Sequence, residues 1–313
     1  MAEGLVISVG SRSVRVQVRE LGELRATLRG NLWAAERKET RPVAVGDRVA
    51  VTVAGESAVI ESVHERRNAF VRPQPFGRFS GKGRAGRYGK APPVQVIAAN
   101  LDRILVVAAL TDPPFRPGLV DRFCVAAAAQ GIDASVVLNK VDLPGDRAVI
   151  EPWREAGYNV FVASATTGEG LDELRAELSG GISMLVGHSG VGKTSLLNAV
   201  DLKLQLRVGE VAVHHGRGRH TTTRVTLLPL SCGGMVVDTP GIRELALAEV
   251  SPTELARLFP GFGELPHACH FNNCRHLREP RCAILHALEQ GDLAPERYDI
   301  YLRILTDLEE SEG

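Results

Sequence analysis

The run Ile182-Ser183-Met184-Leu185-Val186-Gly187-His188-Ser189-Gly190-Val191-Gly192-Lys193-Thr194-Ser195 sets the fold class. An apolar strand at 182–186 leads into a glycine-spaced loop, and a helical stretch at 195–199 follows it. The loop at 187–194 matches the phosphate-binding pattern G-x-x-x-x-G-K-[ST] in the setting that gives the pattern its meaning. Its glycines let successive backbone N–H groups turn inward around a phosphate, and the helix N-terminus behind them adds positive partial charge. Lys193 then reaches the β- and γ-phosphates and the Thr194 hydroxyl ligates Mg²⁺, with Gly187, His188, Ser189, Gly190, Val191, Gly192 and Ser195 forming the rest of the cradle.

Working outward, strand patterns at 104–110, 135–138, 159–163 and 235–237 alternate with helical patterns near 120–130 and 171–178. This alternation predicts an α/β domain with a mostly parallel sheet. Asn139-Lys140-Val141-Asp142 stands at the end of the strand at 135–138. A carboxylate at Asp142 accepts two hydrogen bonds from N1–H and the exocyclic amine of guanine, whereas adenine offers no such pair of donors. Buried and unpaired, that carboxylate penalises adenine, which opposes an ATP-using enzyme. Ser164-Ala165 supplies a backbone N–H for the guanine O6.

Asp238-Thr239-Pro240-Gly241 follows the strand at 235–237, where Asp238 holds Mg²⁺ through a water and the Gly241 N–H senses the γ-phosphate. Ahead of it, Gly216-Arg217-Gly218-Arg219-His220-Thr221-Thr222-Thr223 carries the hydroxyls of a switch I segment, with Thr223 preferred over Thr222 as the Mg²⁺ ligand. The base-reading motif precedes the phosphate loop, the reverse of the usual order. A circular permutation of this kind leaves the sheet intact if the original termini lay close together.

Before this domain, valines recur with period two at 14, 16, 18 and again at 49, 51, 53, with turn residues at Gly22, Gly30 and Gly46-Asp47. This reads as a small all-β barrel or sandwich, and for a barrel periodicity does not choose between the OB and the SH3-like kind. Residues 66–90 hold eight Lys/Arg and no acid, interspersed with glycines and the rings of Phe70, Phe76, Phe79 and Tyr88. That composition suits a solvated linker or an arm that meets phosphates and stacks on bases.

The 313 residues carry zero formal net charge and are 44% hydrophobic and 24% charged, enough for two or three folded domains. Charge is segregated: 1–93 holds 17 Lys/Arg against 9 Asp/Glu, and 94–313 holds 20 against 28. An anionic partner for the N-terminal part follows. No apolar run approaches a membrane span and the N-terminus lacks a secretion signal, so a cytoplasmic location and no membrane partner are expected. Three of the five cysteines, Cys269, Cys274 and Cys282, fall within 14 residues, which reads as a metal site rather than a disulfide framework. A small helical domain from 251 onward surrounds them, ending in Tyr298, Tyr301, Leu302, Leu305 and Leu308 on one helical face.

With these residues in place, the chain resembles the circularly permuted GTPases that act in maturation of the small ribosomal subunit, the RsgA family. The resemblance rests on the barrel, the motif order, Gly-Arg-Gly-Arg-His-Thr-Thr-Thr at 216–223, Asp-Thr-Pro-Gly at 238–241 and the cysteine cluster. It implies an OB-fold contacting rRNA at 1–70, a basic Gly/Arg-rich linker at 71–93, a permuted GTPase domain at 94–250 and a zinc-binding domain at 251–313. It implies an enzyme that hydrolyses GTP to GDP with Mg²⁺, stimulated by the small subunit, and a monomer is expected. Cys269, Cys274, His276 and Cys282 match the family's zinc site, with His267, His270 and His286 as alternatives to His276, and a closed thiolate and imidazole set suits one structural Zn²⁺.

One departure from typical members stands out, the long Gly/Arg-rich insertion at 76–90. Ile242 stands where many GTPases at large carry a water-orienting glutamine. His220 is the family's natural candidate for orienting that water, with Lys193 stabilising charge at the γ-phosphate. Contact with RNA or capping of switch I is the competing role for His220, and a GTP-regulated RNA scaffold in which hydrolysis is incidental is the competing function.

Overall fold

The computed structural model describes residues 1–10, 14–30, 32, 39–73, 94–207, 225–238, 247 and 250–312. Two compact units interleave along the chain. The first comprises Met1–Arg103, Arg175–Leu185 and Asp201–Ala248, and the second Ile104–Leu174, Val186–Val200 and Glu249–Gly313.

The first unit begins with β1 (Ala2–Val9), β2 (Val14–Val18), β3 (Gly22–Leu28), β4 (Arg48–Ala54) and β5 (Ser57–Val63). Alternation drives these strands: β2 buries Val14, Val16 and Val18 and exposes Arg15 and Gln17. The bonded order is β1-β2-β3-β5-β4, and β4 returns to pair with β1, so the sheet closes on itself. Only the β3–β5 joint of that ring is parallel. This is the five-stranded Greek-key barrel of the OB type, and strand order decides what period-two alternation could not. Val6, Val16, Val49, Val51 and Ile60 fill its interior and are fully buried.

The Gly46-Asp47 turn is an anchor as well as a break between strands. Gly46 has φ +88°, and a Cβ there would lie 2.1 Å from the Ala99 carbonyl oxygen. Asp47 is buried, accepts from the Ala44 N–H at 2.7 Å and receives Arg66 Nε and Nη2 at 2.6 and 2.9 Å. Next, β6 (Ala69–Pro73) pairs antiparallel with β7 (Val94–Ala99). Residues 74–93, which contain nearly all of the Gly/Arg-rich stretch, lie outside the described residues.

Strands and helices then alternate as β8 (Arg103–Ala109), α1 (Pro117–Ala129), β9 (Asp133–Asn139), α2 (Glu151–Glu155), β10 (Asn159–Val162), α3 (Leu171–Leu178), β11 (Ile182–Val186), α4 (Lys193–Val200), β12 (Val225–Pro229) and β13 (Met235–Asp238). In the second unit the strand order is β10-β9-β8, with β9 and β10 parallel. In the first unit β11 and β13 are parallel, and β12 runs antiparallel to β13. β12 was not apparent in the sequence pattern. Its other edge pairs antiparallel with β1, Ser8 opposite Thr226 and Val9 opposite Val225, so the barrel and these strands share one sheet.

The second unit ends in α5 (Leu255–Leu258), α6 (Ala283–Gln290) and α7 (Pro295–Glu312). As the helical spacing requires, α7 buries Tyr301, Leu305 and Leu308, joined by Ile304. Arg297 of α7 docks on α1 through a bidentate pair with buried Asp121 at 2.8 and 2.9 Å, donates to the Pro260 carbonyl at 2.7 Å, and lies over the Trp153 and Phe259 rings.

Candidate functional site

The buried strand β11 delivers the chain to Gly187, whose φ of +145° and position allow no side chain: a Cβ would lie 2.1 Å from the Val107 carbonyl oxygen. Gly190 and Gly192 also have positive φ, +85° and +92°. These conformations turn the loop back on itself before α4 starts at Lys193, and the Leu196 N–H closes the first helical bond to the Gly192 carbonyl at 2.8 Å. The first-turn amides of α4, at Lys193, Thr194 and Ser195, have no acceptor within the helix, the arrangement that suits an anion.

Lys193 Nζ donates to the carbonyls of Gly187 and His188 at 2.8 and 3.0 Å, which folds the lysine over the loop. His188 Nδ1 donates to the Ser189 carbonyl at 2.7 Å. Burial disfavours the charged ammonium and lowers the Lys193 pKa to about 8.

The base-reading motif sits against this loop. Asn139 ends β9, is buried, and its Nδ2 donates to the Val191 carbonyl at 2.7 Å. A Cβ on Gly192 would lie 2.4 Å from that nitrogen and 3.8 Å from Lys140 Cε. Asn139 Oδ1 is buried without a partner among the described residues. Lys140, with φ +62°, donates through Nζ to the Asp112 carbonyl, a contact for which the sequence gives no signal. The backbone turn at Lys140 leads into buried Val141 and exposed Asp142.

Asp142 Oδ1 accepts from Ser164 Oγ at 2.6 Å, and Ser164 Oγ in turn accepts from the N–H groups of Thr166 and Thr167 at 3.2 and 3.1 Å. Ser164 is fully buried and Ala165 beside it half-buried. Asp142 is exposed, so the penalty on adenine read from the sequence requires a base to lie over it. Asn139 thus meets the glycine loop and Asp142 meets Ser164, all within a single unit.

Asp238 closes β13 in the other unit, half-buried, and burial holds its carboxyl above the ordinary carboxylate range. His220, Thr223 and Gly241 lie outside the described residues, as do Thr222 and Ile242.

A second cluster lies in the helical region after 251. Cys269, Cys274, His276 and Cys282 bring four ligand atoms within 4.8 Å of one another. Cys269 Sγ and Cys282 Sγ are 3.9 Å apart, and His276 Nδ1 lies 3.4 and 3.3 Å from them. Ligands about 2.3 Å from a tetrahedral zinc sit roughly 3.8 Å apart, so the donor set and its spacing fit Zn²⁺. Burial first, with the nearby thiols of Cys282 and Cys269 adding to it, pushes the Cys274 thiol up to about 12, a cost that a bound dication reverses. Of the histidines the sequence left open, His267, His270 and His286 are exposed, and only His276 joins the cluster.

Second contacts hold the ligand loop. The Ala283 N–H donates to Cys269 Sγ at 3.4 Å and the Leu285 N–H to Cys282 Sγ at 3.5 Å. Tyr298 and Tyr301 of α7 donate to the carbonyls of His276 and Arg275 at 2.6 and 3.0 Å. Glu279 accepts from the N–H groups of Arg275, Leu277 and Arg278, and these bonds hold its carboxyl down at about 2 against the opposing effect of burial.

A glycine cradle that admits no Cβ at Gly187 or Gly192, bonded to an Asn-Lys-x-Asp motif earlier in the chain, defines a P-loop GTPase of permuted order. Comparison with known proteins agrees. The family model described as RsgA GTPase matches residues 63–248. The Small ribosomal subunit biogenesis GTPase RsgA of Gemmatimonas aurantiaca is 39% identical over 310 residues, covering 97% of this chain and 96% of that protein. Its namesake from Geobacillus thermodenitrificans is 39% identical over 281 residues, covering 88% of each.

Among solved structures, YjeQ from Thermotoga maritima superposes with a TM-score of 0.74 at 32% identity over 98% of both chains. YloQ, described as a circularly permuted GTPase, gives 0.73 at 26% identity over 100% of this chain and 96% of that one. The chain belongs to the RsgA GTPase family and is a GTP hydrolase.

Two outcomes follow from the geometry. The phosphates of GDP bring negative charge to Lys193 and draw its pKa back up, so binding takes up protons where the free lysine is deprotonated. At about pH 9, calorimetry in buffers of different ionisation heat should report uptake of about one proton, far less near pH 7, and none in Lys193→Met. Equal uptake at both pH values would refute the assignment. The purified chain should also carry close to one equivalent of zinc, and Cys282→Ser should lose it together with the cooperative unfolding of the module around it. A zinc-free chain whose melting is unmoved by a chelator would contradict this.

Proposed function

We propose that this GTPase serves small ribosomal subunit biogenesis: it binds rRNA through the OB-type barrel, hydrolyses GTP when engaged on the small subunit, and leaves in the GDP form. The observation that carries the nucleotide part is the Asn139 amide on the Val191 carbonyl, which joins base reader to phosphate loop. Guanine lies over Asp142, with Ser164 orienting the carboxylate and the Ala165 N–H meeting O6. The phosphates lie in the loop from Gly187 through His188, Ser189, Gly190, Val191 and Gly192 to Lys193, Thr194 and Ser195.

When bound, Mg²⁺ neutralises charge on the β- and γ-phosphates. Thr194 and Thr223 ligate it, Asp238 holds it through water, and the Gly241 N–H meets the γ-phosphate. Lys193 stabilises charge developing there and His220 orients the water, the role left open by Ile242. Cys269, Cys274, His276 and Cys282 hold a structural zinc. The names of the relatives support the ribosomal assignment, as does the excess of Lys/Arg over Asp/Glu in residues 1–93, 17 against 9.

We assign the barrel to 1–70, the basic linker to 71–93, the GTPase domain to 94–250 and the zinc module to 251–313, acting as a cytoplasmic monomer. Among the described residues no helix is long and apolar enough to cross a membrane.

GTP turnover measured with and without purified small subunits should rise at least about a hundredfold in their presence, a floor set below the ~10³–10⁵ that supplied catalytic groups give GTPases. In the same assay Asp142→Asn should prefer xanthosine over guanosine triphosphate. Unstimulated turnover would refute the ribosomal part, and unchanged base preference would refute the guanine site.

A further inference from the structure

The seam between β1 and β12 places a barrel residue in line with Asp238. Ser8 stands opposite Thr226 across the antiparallel β1–β12 pair, and Thr226 stands opposite Asp238 across the antiparallel β12–β13 pair. Directly opposed residues of antiparallel strands project from the same face, with Cβ atoms roughly 5 Å apart. Ser8, Thr226 and Asp238 therefore form one row across three strands. The first belongs to the barrel and the last begins the Asp-Thr-Pro-Gly motif.

The row is built rather than incidental. Ser8 is only 2% exposed, although it is a polar residue near the end of a barrel strand. Its Oγ donates to the Val225 carbonyl at 3.4 Å and lies 3.5 Å from Thr226 Oγ1. The β1–β2 register shifts between Val6 and Ser8, and a bulge of this kind re-aims the side chain that follows it. Val225 itself follows Thr223 by two positions, so the strand that Ser8 holds is the one into which the switch I sequence runs.

We propose that Ser8, acting through Thr226, is a positioning residue for Asp238, so that the barrel contributes directly to holding Mg²⁺ on the nucleotide. This rests on the role given to Asp238 under the proposed function. The hydroxyls of Ser8 and Thr226 fix the lateral position of β12, and β12 fixes the end of β13 from which the aspartate projects. Displacing the barrel strand then displaces the carboxylate, which gives RNA on the barrel a short route of two strands to the metal.

The test follows release of a fluorescent, non-hydrolysable GTP analogue from the full-length chain as a function of Mg²⁺ concentration. In a Ser8→Ala/Thr226→Val variant the Mg²⁺ concentration that halves the release rate should rise about fivefold, the factor set by one lost hydrogen bond. Affinity measured in EDTA should stay within about twofold, and Thr226→Ser should retain the parental midpoint.

Asp238→Asn separates the two readings. A shifted midpoint in Asp238→Asn with none in the double variant overturns the row alone. No shift in either removes the metal role of Asp238, and the proposal falls with it. A Ser8→Cys/Thr226→Cys chain provides a second measurement should the double variant not fold. On oxidation of the folded protein it should form the cross-strand disulfide and keep the Mg²⁺ midpoint at or below the parental value. Failure to form that bond, or a raised midpoint once it forms, also overturns the proposal.

Discussion

The nucleotide half of this protein turns on one hydrogen bond, from the Asn139 amide to the Val191 carbonyl, made across the place where Gly192 has no side chain. A carbonyl in a tight loop needs a donor, and buried inside the fold it finds one only if another segment brings it. Asn139 does so from the end of β9. The contact fixes the distance between the Asn-Lys-x-Asp motif and the glycine loop, the two segments to which the proposed function gives the base and the phosphates. Because the constraint is spatial, it does not depend on which segment comes first in the chain, and the reversed motif order leaves it intact.

The same logic of remote partners holds the two ends of the chain in place. Arg297 reaches back 176 residues to Asp121, and a buried guanidinium without that carboxylate would be an uncompensated charge. Asp47 and Arg66 do the corresponding work at the base of the barrel, with Glu39 as a third member of the ion-pair group. Each pair links elements whose local sequence carries no trace of the other. The cysteine–histidine module combines both devices: a loop shaped by Glu279, and tyrosines from α7 that hold the carbonyls of Arg275 and His276.

What the sequence discloses is whatever is local or periodic. The valines of β2 and β4, the strand–loop–helix at 182–200, the cysteine spacing and the face of α7 follow from period, turn chemistry and ligand type, and the structure has each of them. The closure of the barrel is not legible, because pairing of β1 with β4 and the parallel joint of β3 with β5 depend on register between distant strands. For the same reason β12 escaped notice: five residues flanked by a polar segment and a turn have too little pattern, and their identity comes from neighbours on both sides. Among four nearby histidines spacing could not select His276, whereas burial does. The exposure of Asp142 is likewise invisible in sequence, since a carboxylate meant for a ligand resembles any other at the end of a strand.

The central claim is that residues 139–142 and 164–165 and the loop at 187–194 hold opposite ends of one guanine nucleotide. Amide hydrogen exchange during a GDP titration tests it most directly, because it reports on all three segments in one sample. All three segments should gain protection with a single midpoint and a stoichiometry of one, and ADP at the same concentrations should protect none of them. Protection of the loop alone, or separate midpoints for the two ends, would contradict it.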